Sequence, residues 1–335
     1  MSVTFPSTAG ADKTPLVIGQ TASANGLYVV GIDLGGTKIL AGIADAKGEL
    51  LARANENTAH GKDAPVLEQM ARMVRGLVLK ANVAMDDVAC VVIGIPSVVS
   101  PETGLASLSP NLALPEDQPL AGLMAERLQC RVVVENDVNL AAFAEATEGA
   151  GKGEQSLAFI SFGTGVGMGL VIGGELVRGQ SGRAGEIGFM PFGADPHTKA
   201  PTSENGLFED TVGTPGIREK YCRDGETVAQ LFERAVAGHS DALEAVADIA
   251  RNSSVGIAAV CSLIDPTLTV IGGGIGSQAI FFEQLKEQLR PLLPFSCRLE
   301  QSRFGADAGL IGALKFAQKV SADAGSTPHP AAIEQ

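Results

Sequence analysis

Several short stretches hold the residue types that phosphate and hydroxyl chemistry needs. The first is Asp33-Leu34-Gly35-Gly36-Thr37-Lys38, which follows an apolar run. Phosphate oxygens need backbone N–H donors at close range, and only glycine lets the backbone approach without a Cβ in the way. Thr37 adds a hydroxyl, Lys38 a charge, and Asp33 at a strand end could hold Mg²⁺ through water. A second cradle follows at Gly163, Thr164 and Gly165, within Phe162 to Gly169. It does not match GxGxxG, because Met168 stands at the last required glycine, and no GxxxxGK[ST] occurs in the chain. Gly272, Gly273 and Gly274 lie between a strand and a helix and could pass for a dinucleotide loop. An adenosine contact is preferred, since the other phosphate motifs are placed elsewhere.

Two further stretches carry carboxylates. Glu135-Asn136-Asp137 sits between a strand and a helix. A hydroxyl is a poor nucleophile, and a carboxylate beside it can take its proton while a donor phosphate is held in line. Asp137 could equally do no more than cap the helix beginning at Val138. Arg183-Ala184-Gly185-Glu186-Ile187-Gly188 offers Glu186, which could accept hydrogen bonds from two adjacent hydroxyls or serve as a structural turn carboxylate.

The elements that must position these groups alternate along the chain. Strands are expected at 27–32, 38–44, 49–53 and 88–95, with a helix capped by Asp63 and faced by Val66, Met70, Met73, Val74 and Leu77. A helix at 117–129, a strand at 131–135 and a helix at 138–148 follow. Next come strands at 156–162, 168–172 and 175–177, a long helix at 241–264, a strand at 268–271 and a helix at 277–289. The strand, Gly/Thr turn, strand, turn, strand order occurs twice, which suggests two similar lobes facing one cleft. The reading gives a leader at 1–26, a small α/β lobe at 27–118, a large α/β lobe at 119–304 and a frayed tail at 321–335. A last helix at 305–320 would pack back on the first lobe. The β-β-β-α-β opening differs from a simple Rossmann half.

Bulk properties narrow the class. With 335 residues, 45% of them hydrophobic, the chain can build two lobes around a core. A net charge of −13 and the lack of any dense basic block argue against nucleic acid as a partner. Five dispersed cysteines do not form a disulfide framework and point to a reducing compartment. No secretory signal and no membrane span is read, so the expected location is the cytoplasm.

Taken in order, the motifs resemble the ROK family of bacterial sugar kinases and repressors, within the sugar kinase and actin superfamily. The marks are DLGGTK at 33–38, GIP at 94–96, SPNL at 109–112, ENDVN at 135–139, GTGVGMGL at 163–170, GRAGEIG at 182–188 and DP…GGG at 265–274. The resemblance covers about 27–320. It implies an α/β, two-lobed actin-like ATPase (ribonuclease H-like) fold, each lobe a mixed sheet flanked by helices. It implies an ATP-dependent kinase for a hexose-type sugar, with Mg²⁺ accompanying ATP and Asp137 as general base. Asp33 to Lys38 and Gly163 to Gly167 would hold the phosphates, and Gly272 to Gly274 the adenine side. Asn111, Asn136 and Glu186 would bind sugar hydroxyls, and relatives of this kind suggest a homodimer.

The chain departs from the family pattern at two places. Phe189 stands where the family usually has His, supplying an apolar wall in place of a polar partner. The family's zinc cysteines are missing from the segment Thr202 to Glu209, and His197 is isolated, so no structural zinc is expected. Glu209 matches the last Glu of that segment and could still contact sugar. A sugar-responsive repressor would need a DNA-binding domain, and the 32 residues before Asp33 carry no helical or basic pattern for one. A sugar-binding sensor without turnover is the other reading. An oxidoreductase is disfavoured by the β-β-β opening.

Overall fold

The computed structural model describes residues 27–61, 64–108, 114–115 and 117–326. Strands β1 (Tyr28–Leu34), β2 (Lys38–Asp45) and β3 (Leu50–Asn57) form an antiparallel meander. Helix α1 (Pro65–Lys80) buries Val66, Met70, Met73, Val74 and Leu77, the face its spacing predicts. Its N-cap position falls on Ala64, and the expected cap Asp63 lies outside the described residues. Strand β4 (Val88–Ile95) is buried throughout and runs parallel to β1, as an apolar run covered on both faces should. A small hairpin of β5 (Val98–Val99) and β6 (Ala106–Ser107) follows.

Helix α2 (Leu120–Leu128) then leads to β7 (Val132–Asn136), which pairs parallel to β4. The first sheet therefore has the order β3-β2-β1-β4-β7. This corrects the expected lobe boundary at 118, which falls inside the crossover from β4 to β7. The apolar residues Val132, Val133 and Val134 are buried on the open edge of β4, so they extend the first sheet and start no new unit.

Helix α3 (Asp137–Thr147) starts directly at the end of β7. A second meander follows, made of β8 (Ser156–Phe162), β9 (Val166–Ile172) and β10 (Glu175–Leu176). Helices α4 (Pro196–Lys199), α5 (Leu207–Val212), α6 (Thr214–Tyr221), α7 (Val228–Val236) and α8 (Ser240–Ile264) come next. Then come β11 (Leu268–Gly272), α9 (Gly273–Gly276), α10 (Ala279–Leu289), β12 (Leu299–Gln301) and α11 (Ala308–Ser326). The second sheet has the order β10-β9-β8-β11-β12, which repeats the first sheet strand for strand.

Period-two alternation divides the core. On β8, Ala158, Ile160 and Phe162 face a cluster with α5, α8 and α10, while Leu157 and Phe159 face a central cluster. That central cluster also takes Val29, Val92 and Val133 from the first sheet, Leu140 and Phe143 from α3, and Leu310 to Val320 from α11. Helix α11 packs on β1, β4 and β2 of the first sheet and on α3, and α3 packs chiefly on β8 and β9 of the second. The helix α11 also corrects the expected tail: residues 321–326 continue the helix, because no proline breaks the chain before Pro328. The leader at 1–26 and residues 327–335 lie outside the described residues.

Candidate active site

Asp33 is the last residue but one of β1, and its register partner on β4 is Gly94, which pairs in turn with Glu135 of β7. The Asn136-Asp137 pair therefore emerges two strands away from Asp33, at the same end of the first sheet. Asn136 is the N-cap of α3, its side chain accepting from the Asn139 backbone N–H at 3.0 Å. Capping is thus done by Asn136, and Asp137 is the first residue inside the helix. Its Oδ1 accepts from the Val138 N–H at 2.8 Å. Burial pushes the Asp137 carboxyl up to about 6, against the opposing hydrogen bond from Val138.

Asp33 is half-buried at the head of the first glycine turn. Burial, and then the nearby charge of Asp137, push its carboxyl up to about 7, with Lys38 pulling the other way and Asp307 adding to the rise. Within the turn, Gly35 N donates to Lys38 O at 3.0 Å and Thr58 Oγ1 donates to Gly35 O at 2.7 Å. Thr37 and Lys38 are exposed.

The second turn is braced by residues that no motif announced. Gly163 O accepts from both the backbone N–H of Thr214 at 3.0 Å and its hydroxyl at 2.8 Å. Glu209 Oε2 accepts from the Val166 N–H at 2.7 Å, so this carboxylate supports the turn with one oxygen. The turn is shorter than expected, because β9 begins at Val166 and leaves only Gly163, Thr164 and Gly165 outside the strands. Gly273 adopts φ 81, and a Cβ there would lie 2.3 Å from Phe162 O, so only glycine fits. A Cβ on Gly163 would lie 3.6 Å from Gly274 N, which puts the second and third glycine motifs side by side.

Helix α3 brings the two halves together. A Cβ on Gly167 would lie 3.1 Å from Val138 Cγ2, so the first turn of α3 rests on the start of β9. The segment at 182–188 joins the same strand through Met168 N, which donates to Gly185 O at 3.0 Å. Glu186 is half-buried there, and its carboxyl is raised by burial first and then by the charges of Glu209 and Asp137, with Arg183 opposing. Glu209 is raised chiefly by burial, against its hydrogen bond from Val166. Asp33, Asp137, Glu186 and Glu209 therefore form one acidic group flanked by glycine turns.

The profile of the ROK family matches residues 29–320. This chain belongs to the ROK family. A glucokinase from Streptomyces coelicolor is 29% identical over 315 residues, which span 87% of this chain and 97% of that one. The crystal structure of a ROK hexokinase from Thermus thermophilus shares 31% identity at a TM-score of 0.75, covering 89% of this chain and 100% of that one. A ROK family glucokinase from Streptomyces griseus, solved with glucose and AMPPNP, shares 26% identity at a TM-score of 0.74, covering 87% and 99%. The fold is the two-lobed actin-like ATPase fold, with its repeated sheets and its paired helices α3 and α11.

Of the other expected site residues of this ROK protein, Asn111 lies outside the described residues. Asn136 uses its Oδ1 for the helix cap and its Nδ2 to reach Ser97 O at 3.2 Å. Phe189 is 46% exposed in the turn that follows Glu186, so it is not part of the core. His197 is exposed on α4, and no cluster of three or more His, Cys, Asp or Glu that could hold a metal occurs among the described residues. Thr214, Thr58 and Arg178 had no signal in the sequence, since each supports a turn from a distant element.

Backbone N–H groups of the glycine turns and the Asp33 carboxyl are the donor types that a nucleotide with magnesium would use. The closely packed backbone around Gly163, Gly273 and Gly274 leaves no room for a Cβ at Gly273. Asp33 is a carboxyl raised by burial and a like charge, which a divalent cation would relieve.

Proposed function

We propose that this protein is an ATP-dependent sugar kinase that phosphorylates a hydroxyl of a hexose-type sugar, with Asp137 as general base. The observation that carries this reading is the position of Asp137 on the first turn of α3. Its neighbour Val138 packs on β9 beside the second glycine turn, and Asp137 is close enough to Asp33 and Glu186 to raise both carboxyls.

Asp137 takes the proton of the attacking hydroxyl as the sugar oxygen bonds to the γ-phosphorus and the bond to ADP breaks. A carboxyl near 6 suits this role, because it is ionised at neutral pH yet more basic than an ordinary Asp. Glu186, Glu209, Asn136 and Asn111 would accept or donate hydrogen bonds to the other hydroxyls and fix which one faces Asp137. Thr37, Lys38 and the backbone of Gly35, Gly36, Gly163, Thr164 and Gly165 would hold the phosphates, with Gly272 to Gly274 toward adenine. Mg²⁺ held near Asp33 would neutralise charge on the β- and γ-phosphates when bound. Closure of the two lobes would keep water from the transferred group.

Glucose-like hexoses, 2-acetamido hexoses and ketohexoses all suit this set, and Phe189 favours a sugar that presents an apolar edge to the turn. The reading also carries a cytoplasmic homodimer that acts on small molecules and binds neither nucleic acid nor membrane. No described helix is long and apolar enough to cross a membrane.

Phosphorus NMR of Mg-ATP incubated with each sugar class tests the proposal. The expected result is a new phosphomonoester signal with one class, matched by ADP. Unchanged ATP with every sugar, while calorimetry still registers sugar binding, would make the protein a sensor.

A further inference from the structure

Arg178 belongs to no motif, yet it bonds both to Glu135, just before the Asn136-Asp137 pair, and to the loop that carries Glu186. It follows β10 on the edge of the second sheet, and its Nε donates to Oε2 of Glu135, on the edge strand of the first sheet, at 2.6 Å. The pair is nearly enclosed, with the side chains of Arg178 and Glu135 11% and 4% exposed. The other oxygen of Glu135 accepts from the Asn136 N–H and from Asn139 Nδ2, both at 2.9 Å. Glu135 therefore grips the turn that presents Asp137 from both sides. The guanidinium lies 5.5 Å from the ring centre of Phe316 on α11, which meets Phe143 of α3 edge-on at 5.3 Å. Its backbone carbonyl accepts from the Ala184 N–H at 3.0 Å, two residues before Glu186.

We infer that Arg178 is a positioning residue for the transfer step: its side chain fixes the Asp137 turn through Glu135, and its backbone fixes the Glu186 loop. This rests on the sugar-kinase reading. A buried ion pair is a poor source of stability compared with apolar residues of similar volume. Its geometry is another matter, because the planar guanidinium set over the Phe316 ring fixes the direction of its Nε–H, which a flexible lysine ammonium does not reproduce. Arg178 Nη2 is buried without a hydrogen-bond partner among the described residues, so the group sits where Glu135 and Phe316 place it and satisfies only part of its own bonding capacity.

The two links separate in kinetics. Side-chain changes should disturb Asp137 and leave the backbone link to Glu186 intact. The variants are Arg178→Lys, which keeps the charge, and the double variant Glu135→Gln with Arg178→Met, which removes both charges at similar volume and avoids an unpaired buried ion. Both should melt within about 3 °C of the natural protein. Both should lose about 10-fold or more in kcat for sugar phosphorylation, with the sugar KM changed less than about two-fold. The Val138 and Asn139 amides, bonded to Asp137 and Asn136, report on the turn directly, and their hydrogen exchange should quicken while that of the rest of α3 does not.

Unchanged exchange at Val138 and Asn139 would overturn the inference whatever the enzyme activity. So would kcat within about two-fold of the natural protein in both variants. Absence of turnover by the natural protein would refute the kinase reading separately, and the exchange experiment would still decide whether Arg178 holds the turn.

Discussion

Gly309 at the start of α11 meets Asp33 so closely that a Cβ there would lie 2.7 Å from the carboxyl carbon and 2.8 Å from both oxygens. Helix α11 therefore forms one wall around the Asp33 carboxyl near the end of β1. Gly309→Ala should displace Asp33 without touching Glu186. The expected outcome is a fall in kcat of about 10-fold and a higher Mg²⁺ requirement, with sugar affinity within about two-fold, read by steady-state kinetics over a Mg²⁺ series. Normal kinetics in this variant would remove Asp33 from the phosphate site.

The pH profile follows from Asp137. A base must be ionised to accept a proton, and this carboxyl is pushed up to about 6 by burial. Rate should therefore fall as pH drops through about 6, well above the range of an ordinary Asp. A profile of kcat that stays flat down to pH about 4.5 would contradict Asp137 as base.

Stability should run the opposite way to rate. Asp33 and Asp137 both hold their protons to higher pH in the fold than in the unfolded chain, at about 7 and about 6. Their contribution is full below the ordinary Asp range and is lost as pH rises through these values. Asp137→Asn removes one charge and relieves Asp33 as well. It should raise the melting temperature at pH 8 by about 1–4 °C and leave it unchanged near pH 4, measured by calorimetry. A lower melting temperature at pH 8 would show that the fold stabilises ionised Asp137 and would contradict this sign.

Gly273 carries a third test. Its φ of 81 is unfavourable for alanine, and a Cβ would collide with Phe162 O at 2.3 Å. Gly273→Ala should cost about 1–3 kcal/mol of stability and raise the KM for ATP about 10-fold or more, with the sugar KM little changed. An unaltered ATP KM would place the adenine side elsewhere.

Local chemistry explains what the sequence revealed. The glycine turns, the strand ending at Asp33 and the apolar face of α1 are short-range patterns, and the repeated meander was visible in them. The assignment of β7 to the first sheet was not, because an apolar strand of five residues does not say which edge it will join. Thr214 and Arg178 were invisible for a related reason. Each acts on a residue far away in sequence, at Gly163 and Glu135, through contacts that only the packed lobes create. The helix cap went to Asn136 because its side chain reaches Asn139, while Asp137 lies already inside the helix.

The most direct test of Asp137 is ADP release from Mg-ATP with the sugar that supports turnover, comparing the natural protein with Asp137→Asn at pH 8. In the variant kcat should fall by about 10²–10⁴ while sugar affinity is largely kept. Near-normal turnover in Asp137→Asn would show that another group takes the proton.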